Sequence, residues 1–204
     1  MNHREPQALL SSVEREAVAV GAKAMLTSHR HLRLREKWCA AKFGCAYGKS
    51  LAPCSIEIEE QDEQREYDFH FHTKGVRLPF QIAEVLTPGR QRGNEYGSQA
   101  PAEIAAKYRG ALVLSSSEAI EELRKSLEKK VARRYAGAED LSVLLYVNLD
   151  AASLKWSEAQ AALELSASQF ASVWLLSENA FTCIRGGSLW PPSGGWHANE
   201  EAGS

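Results

Sequence analysis

The chain has 204 residues, of which 44% are hydrophobic and 25% are charged. This composition is typical of a soluble globular protein that is large enough to bury a core without the help of disulfides or a metal. The formal net charge of −2 excludes a strong overall attraction for nucleic acid, so any site for a polyanion would have to be a local patch.

Membrane and secretory roles are also disfavoured by the sequence. No apolar run approaches the roughly 20 residues that span a bilayer, and the first residues, MNHREPQALL, lack the order of a secretory signal. The four cysteines are therefore expected to be reduced thiols in a cytoplasmic protein. Their spacing does not match a zinc motif, so small buried side chains are the preferred interpretation.

Hydrophobic periodicity and turn residues predict an alternation of helices and strands. Predicted helices, in chain order, cover residues 8–26, 100–108, 117–135 and 156–168. Predicted strands cover residues 54–60, 67–72, 76–86, 141–148, 170–176 and 181–184. The first three strands are close enough to pair as a meander, and the nearly continuous apolar run at 141–148 favours a buried parallel strand. These elements predict one α/β domain over 1–185 with a mixed central sheet flanked by helices, followed by a flexible tail over 186–204.

The most informative segment is YDFHFHTKGVRLPFQIAE, residues 67–84. It predicts a β-hairpin with one carboxylate on each arm, Asp68 and Glu84. On the first arm the aromatic residues alternate with Asp68, His70 and His72, which share the opposite face. This segment is the part of the chain that suggests a chemistry.

The order of elements, together with Asp68 and Glu84, resembles the restriction-endonuclease-like, or PD-(D/E)XK, nuclease superfamily. The resemblance implies a metal-dependent endonuclease, a hydrolase of phosphodiester bonds. In that family two carboxylates on adjacent strands hold Mg²⁺ or Mn²⁺, which polarises the phosphate and activates a water. Asp68 and Glu84 are the implied metal ligands and catalytic residues.

The chain departs from the motif where the catalytic lysine is expected. Leu86 stands two residues after Glu84, and an alternative alignment on Gln81 loses the carboxylate and places Ala83 at the lysine position. Some relatives take the lysine from a following helix, which makes Lys107 the candidate here. The resemblance therefore also allows a degenerate relative that acts as a non-enzymatic module for binding nucleic acid or protein.

A nucleic-acid ligand would need basic side chains to contact its phosphates. The sequence offers two groups, a loop and a helix end, which are the predicted contacts: Arg90, Arg92, Lys129, Lys130, Arg133 and Arg134. Helix capping and a solvated surface are the alternative interpretations of these residues. A homodimer stays open as a further partner.

Two other interpretations of the hairpin remain. Asp68 is either a metal ligand or a solvated strand residue, and Glu84 either binds metal or pairs with Arg90 or Arg92. Because neutral imidazoles bind Zn²⁺ and other transition metals, Asp68, His70 and His72 also form a candidate zinc-binding face.

Overall fold

The computed structural model describes residues 3–21, 24–25, 28, 31–58, 66–88, 113–149, 154–178, 180–186, 190 and 195–198. Four long helices lie in these segments: α1 (Pro6–Val20), α2 (Leu32–Ser50), α3 (Ser116–Val131) and α4 (Trp156–Ala167). Eight strands accompany them: β1 (His3–Arg4), β2 (Cys54–Glu57), β3 (Phe69–Thr73), β4 (Val76–Leu86), β5 (Ser142–Asn148), β6 (Ser172–Leu176), β7 (Ala180–Arg185) and β8 (His197–Ala198).

All eight strands form one sheet whose spatial order follows the chain from β1 to β8. The pairs β4–β5 and β5–β6 are parallel, and every other pair is antiparallel. Parallel neighbours need a crossover, and these two crossovers carry α3 and α4. The predicted mixed α/β architecture, the meander of the first strands and the buried parallel strand β5 are therefore confirmed.

Alternate residues of the central strands feed two separate cores. Leu144 and Trp174 belong to the cluster that packs under α1 and α2, whereas Val143 and Val173 belong to the cluster under α3 and α4. Since successive side chains of a strand point to opposite faces, the sheet is the middle layer of a three-layer domain. Phe43 of α2 lies at the centre of the first core.

Local signals in the sequence explain several element boundaries. The predicted hairpin turns at Lys74 and Gly75, both of which adopt positive φ angles, a conformation that suits glycine. Helix α3 begins after a capping box, in which Ser115 and Glu118 satisfy each other's main-chain N–H groups. The predicted start of this helix at Ser117 was therefore close, but the capping residue is Ser115.

The last two predicted segments are the flexible tail over 186–204 and the helix at 100–108. Part of the segment expected to be a flexible tail packs against the sheet, because Trp190 is buried in the first core and β8 pairs with β7. The predicted helix at 100–108 lies outside the described residues. None of the helices in the described segments has the length and apolar character needed to cross a membrane.

Candidate functional site

A group of charged side chains lies where β3 begins, between the helix layers. Asp68 immediately precedes β3, and its Oδ2 accepts a 2.6 Å hydrogen bond from the main-chain N–H of Ile82 on β4. The carboxylate thus supplies an acceptor to β4 just before β3 begins. Arg33 of α2 reaches the main-chain oxygen of Asp68 at 3.4 Å, which ties the helix to this point of the sheet.

Glu36 extends the group on the side of α2. Its Oε2 accepts a 2.9 Å hydrogen bond from Nη1 of Arg33, and only 18% of its side chain is exposed. Burial raises the pKa of Glu36, and the neighbouring charge of Asp68 raises it further. The proton affinity of this carboxyl is therefore greater than that of a solvated glutamate.

Lys130 extends the group on the side of α3. The residue is 7% exposed, and its Nζ donates a 2.6 Å hydrogen bond to Oε1 of Gln81 on β4. Burial lowers the pKa of Lys130 to about 8, against the opposing influence of the Asp68 charge. Burial also raises the pKa of Asp68, partly offset by the Ile82 hydrogen bond and by the charge of Lys130.

These three groups form an acid–base cluster, which we define as Glu36, Asp68 and Lys130. Burial is the chief cause of the shift in each group. It raises the pKa of Glu36 and of Asp68 and lowers the pKa of Lys130, so it favours the neutral form of all three. Groups of this kind concentrate at sites that transfer protons, although structural networks also produce them. The cluster becomes a candidate site because one member also lines a cavity.

The cavity lies between α2 and strands β4 and β5 and has a volume of about 140 Å³. We call it the Glu36 pocket, and its lining consists of Met25, Leu32, Arg35, Glu36, Trp38, Cys39, Ile82, Glu84 and Tyr146. Trp38 and Tyr146 meet edge to face with ring centroids 5.6 Å apart. An apolar cavity of about 150 Å³ holds a benzene-sized molecule, so the pocket suits a ligand with one ring.

The two carboxylates predicted as metal ligands have different partners in the structure. Asp68 is bonded to Ile82, whereas Glu84 is exposed on β4 and accepts a 3.2 Å hydrogen bond from Asn148. Glu84 shares a face with Phe80 and Ile82, as the strand pattern predicts, and it lies in the wall of the Glu36 pocket. No described contact joins Glu84 to Asp68, and their binding of Mg²⁺ or Mn²⁺ stays a prediction.

Four of the predicted cationic residues lie in the described part of the chain, all at or just after the end of α3. Lys130 is buried against Gln81, so it does not offer its charge at the surface as the sequence suggested. Lys129, Arg133 and Arg134 are exposed near the end of α3. Lys107, Arg90 and Arg92 lie outside the described residues.

The predicted zinc-binding face has a different composition. Nδ1 of His70 lies 3.0 Å from Nη2 of Arg77, and Asp68 belongs to the acid–base cluster. His72 instead meets Glu57 and His3, and the ligand atoms of these three all lie within 4.8 Å of one another. Sequence spacing does not reveal this trio, because His3, Glu57 and His72 lie on three different strands.

Neither Glu36 nor the burial of Lys130 was predicted from the sequence. Glu36 lies among the basic residues of α2, and Lys130 lies among the cations at the end of α3. The available signal was helical spacing, since Lys130 follows the buried Leu123 and Leu127 of α3 by seven and three residues.

One solved structure resembles this chain over nearly its whole length. No known family matches the chain, and no curated protein matches it. A solved structure of a Pseudomonas aeruginosa strain PAO1 protein of unknown function, assigned to the monooxygenase superfamily, matches with a TM-score of 0.52. The sequences are 16% identical, and the match covers 97% of this chain and 95% of the other.

This likeness corrects the family and the function predicted from sequence. The matching structure is assigned to the monooxygenase superfamily, so the resemblance to PD-(D/E)XK nucleases is wrong, and the restriction-endonuclease-like form of the fold is not confirmed. The predicted nuclease, hydrolase and DNA-binding functions are contradicted with it, as is the binding module of the same fold. The physical reason is the weak motif, in which Leu86 replaces the lysine and Glu84 bonds to Asn148.

Proposed function

We propose that the chain binds a small, largely apolar molecule in the Glu36 pocket, and that Glu36 exchanges a proton or a hydrogen bond with it. The observation that supports this proposal is that Glu36 belongs both to the pocket wall and to the acid–base cluster. Concave, mostly apolar pockets with a few converging polar groups are the usual form of small-molecule sites.

The pocket wall determines which ligands fit. The wall contains two carboxylates, Glu36 and Glu84, and one guanidinium, that of Arg35, whose Nη1 donates to the main-chain oxygen of Met25 at 3.0 Å. A ring that carries a donor or a positive charge is therefore favoured over a ring that carries a carboxylate. The aromatic wall of Trp38 and Tyr146 adds offset or edge contacts to such a ring.

The acid–base cluster determines how readily Glu36 accepts a proton. A carboxyl with a raised pKa is a better proton acceptor near neutral pH than a solvated one. Asp68 and Lys130 act through Glu36 as positioning groups, because they influence its pKa from outside the pocket lining. Proton transfer to or from a bound small molecule is the reaction type that this arrangement supports. The solved structure's assignment transfers no reaction at 16% identity.

A cytoplasmic location belongs to this proposal. All four cysteines are free thiols, with Cys39 and Cys183 buried, which suits a reducing compartment.

The proposal is tested with three probes that share one ring, namely benzylamine, benzyl alcohol and benzoate, titrated by calorimetry. Ligands of this size bind with dissociation constants on the order of 0.1–1 mM. We expect benzylamine to bind more tightly than benzyl alcohol, and benzoate to bind most weakly. Glu36→Gln should weaken benzylamine binding about tenfold, by loss of one charge-assisted hydrogen bond, and change benzyl alcohol binding by less than about twofold.

Two variants make the test specific. Glu164→Gln makes the same substitution at an exposed position of α4, on the opposite face of the sheet, and should leave all three affinities unchanged. Ile82→Trp fills the pocket and should abolish binding of every probe. Failure of all three probes to bind the unmodified protein, or binding that Ile82→Trp leaves intact, would overturn the proposal.

A further inference from the structure

Three strands at one edge of the sheet bring together side chains that the Glu36 pocket does not use. His3 on β1 pairs directly with Glu57 on β2, and His72 on β3 pairs with Ser55, two residues before Glu57. Ile56 points into the first core, so Ser55 and Glu57 face the other way, as do His70 and His72. His3, Glu57 and His72 therefore share one face of the sheet.

The three side chains are in contact. Nε2 of His72 lies 2.8 Å from Oε2 of Glu57, and the rings of His3 and His72 meet edge to face with centroids 4.2 Å apart. One ligand atom from each residue lies within 4.8 Å of the other two. Two ligands of one tetrahedral zinc ion are about 3.3 Å apart, given bonds of about 2.0–2.1 Å. Small side-chain rotations would therefore bring the three atoms onto one ion.

The geometry points to a transition-metal site formed by His3, Glu57 and His72, with zinc as the ion that this donor set fits. Two imidazoles and one carboxylate are a known set for zinc sites that keep a fourth position for water. A hollow of about 450 Å³ borders His72 and Arg77, so solvent reaches the site on the side of His72. This site lies on β1–β3 and is independent of the proposed function of the Glu36 pocket.

The surroundings of Glu57 hold its carboxylate in place. Its side chain is 4% exposed, and its Oε2 accepts a 3.0 Å hydrogen bond from Nε of Arg77. The metal would replace the hydrogen bond between His72 and Oε2, while Oε1 keeps its 3.3 Å contact with Nη2 of Arg77. The positive charge of Arg77 opposes the ion, so we expect micromolar rather than tighter affinity.

The test is titration of the untagged chain of residues 1–204 with Zn²⁺ by calorimetry and with Co²⁺ by absorption spectroscopy. We expect one zinc ion per chain and a dissociation constant on the order of 1–10 µM, because the protein supplies only three of the four ligands. His72→Ala and His3→Ala should each weaken binding by at least about tenfold, since each removes one of three ligands. His31→Ala removes a histidine outside the trio and should leave the affinity unchanged.

The choice of variants keeps the inference falsifiable. His3 is exposed on a two-residue edge strand, so His3→Ala should fold normally even if His72→Ala does not. Absence of zinc binding at 100 µM, a concentration on the order of ten times the expected constant or more, would overturn the inference. Binding that survives His3→Ala, or a Co²⁺ spectrum with thiolate charge-transfer bands, would assign the metal to other residues and also overturn it.

Discussion

Nζ of Lys130 donates a hydrogen bond of 2.6 Å to Oε1 of Gln81 in the interior of the protein. This contact joins the last turn of α3 to the central strand β4. The hydroxyl of Tyr135 donates to the same oxygen at 3.4 Å. A positively charged amine is thus held by a neutral amide, with the carboxylates of Asp68 and Glu36 near enough to influence it.

The first prediction concerns Lys130 and alkaline pH. Its pKa is about 8 in the folded protein, compared with an ordinary value of 10.5. Between these values the unfolded chain binds more protons than the folded one, so the free energy of unfolding rises with pH. The rise should be up to about 3 kcal/mol, the equivalent of this pKa difference. Urea unfolding of the unmodified protein and of Lys130→Met at pH 7.5 to 10.5 measures it as the difference between the two. Cys45 and Cys54, whose pKa values burial raises to about 11 and about 12, lower the free energy of unfolding above pH 9 in both proteins.

Lys130→Met should remove this pH-dependent rise, because it removes the titrating group. Lys129→Met is the matched control, since Lys129 is its exposed neighbour on α3, and this variant should behave like the unmodified protein. A rise of equal size in Lys130→Met would show that other groups cause it.

The second prediction concerns the ion pair between Glu57 and Arg77. Glu57 is buried, and Oε2 of its carboxylate lies 3.0 Å from Nε of Arg77. Arg77→Gln leaves a buried carboxylate with weaker partners, so it should lower the free energy of unfolding by about 1–3 kcal/mol at pH 7. Chemical denaturation measures the loss. Lys155→Gln breaks an exposed pair with Glu158 and should cost no more than about 1 kcal/mol.

The ion pair between Glu57 and Arg77 also predicts how the free energy of unfolding changes at acidic pH. The pKa of Glu57 falls from an ordinary 4.5 to about 2 on folding. Its stabilising contribution is therefore present above pH 4.5 and is lost as the pH falls toward 2. Glu57→Gln should be less stable than the unmodified protein at pH 7, and this difference should shrink in that window. A difference that stays constant would contradict the prediction.

The fold was more predictable from sequence than the site, for a physical reason. β4 has the bounds expected for residues 76–86, and the apolar run at 141–148 corresponds to β5. Periodicity along one element is a local property of the chain. The acid–base cluster instead joins α2, the start of β3 and α3, so only the packing of the layers could show that Asp68 influences the pKa of both Glu36 and Lys130.

The ancestry inferred from Asp68 and Glu84 failed for a related reason. A carboxylate on each arm of a hairpin is a pattern with few constraints. The structure gives the two residues different hydrogen-bond partners, Ile82 and Asn148. Side chains that share a short motif therefore need not share a function, and a short motif alone does not establish a family.

The third prediction concerns the binding of Mn²⁺ by Asp68 and Glu84, which the sequence suggested. If Asp68 and Glu84 bind Mn²⁺, electron paramagnetic resonance should detect bound ion, and Asp68→Ala should abolish it, because hard cations depend on carboxylate oxygens. Asp140→Ala removes an exposed carboxylate elsewhere and should have no effect. Equal Mn²⁺ affinity in Asp68→Ala would remove this site from consideration.

The last prediction concerns the contact among α1, α2 and β2. A Cβ atom added to Gly44 would lie 2.7 Å from Cδ1 of Ile56 and 2.9 Å from Cγ of Pro6. Both distances are shorter than real contacts, and the proline ring cannot rotate away. Overpacking of this kind costs about 1–3 kcal/mol, which exceeds the gain of up to about 1 kcal/mol from alanine in a helix. Gly44→Ala should therefore lower the free energy of unfolding.

Gly48 provides the matched control on the same helix. A Cβ atom there would meet only Sγ of Cys54, at an ordinary 3.6 Å, so Gly48→Ala should stabilise the protein by about 0.5–1 kcal/mol. Ile56→Val removes the Cδ1 atom that blocks Gly44, so the double variant should be more stable than the sum of the two single effects predicts. Urea denaturation of the four proteins and the unmodified chain measures this coupling. If Gly44→Ala and Gly48→Ala changed stability equally, the close approach at Gly44 would have no energetic consequence, and helix propensity alone would account for both.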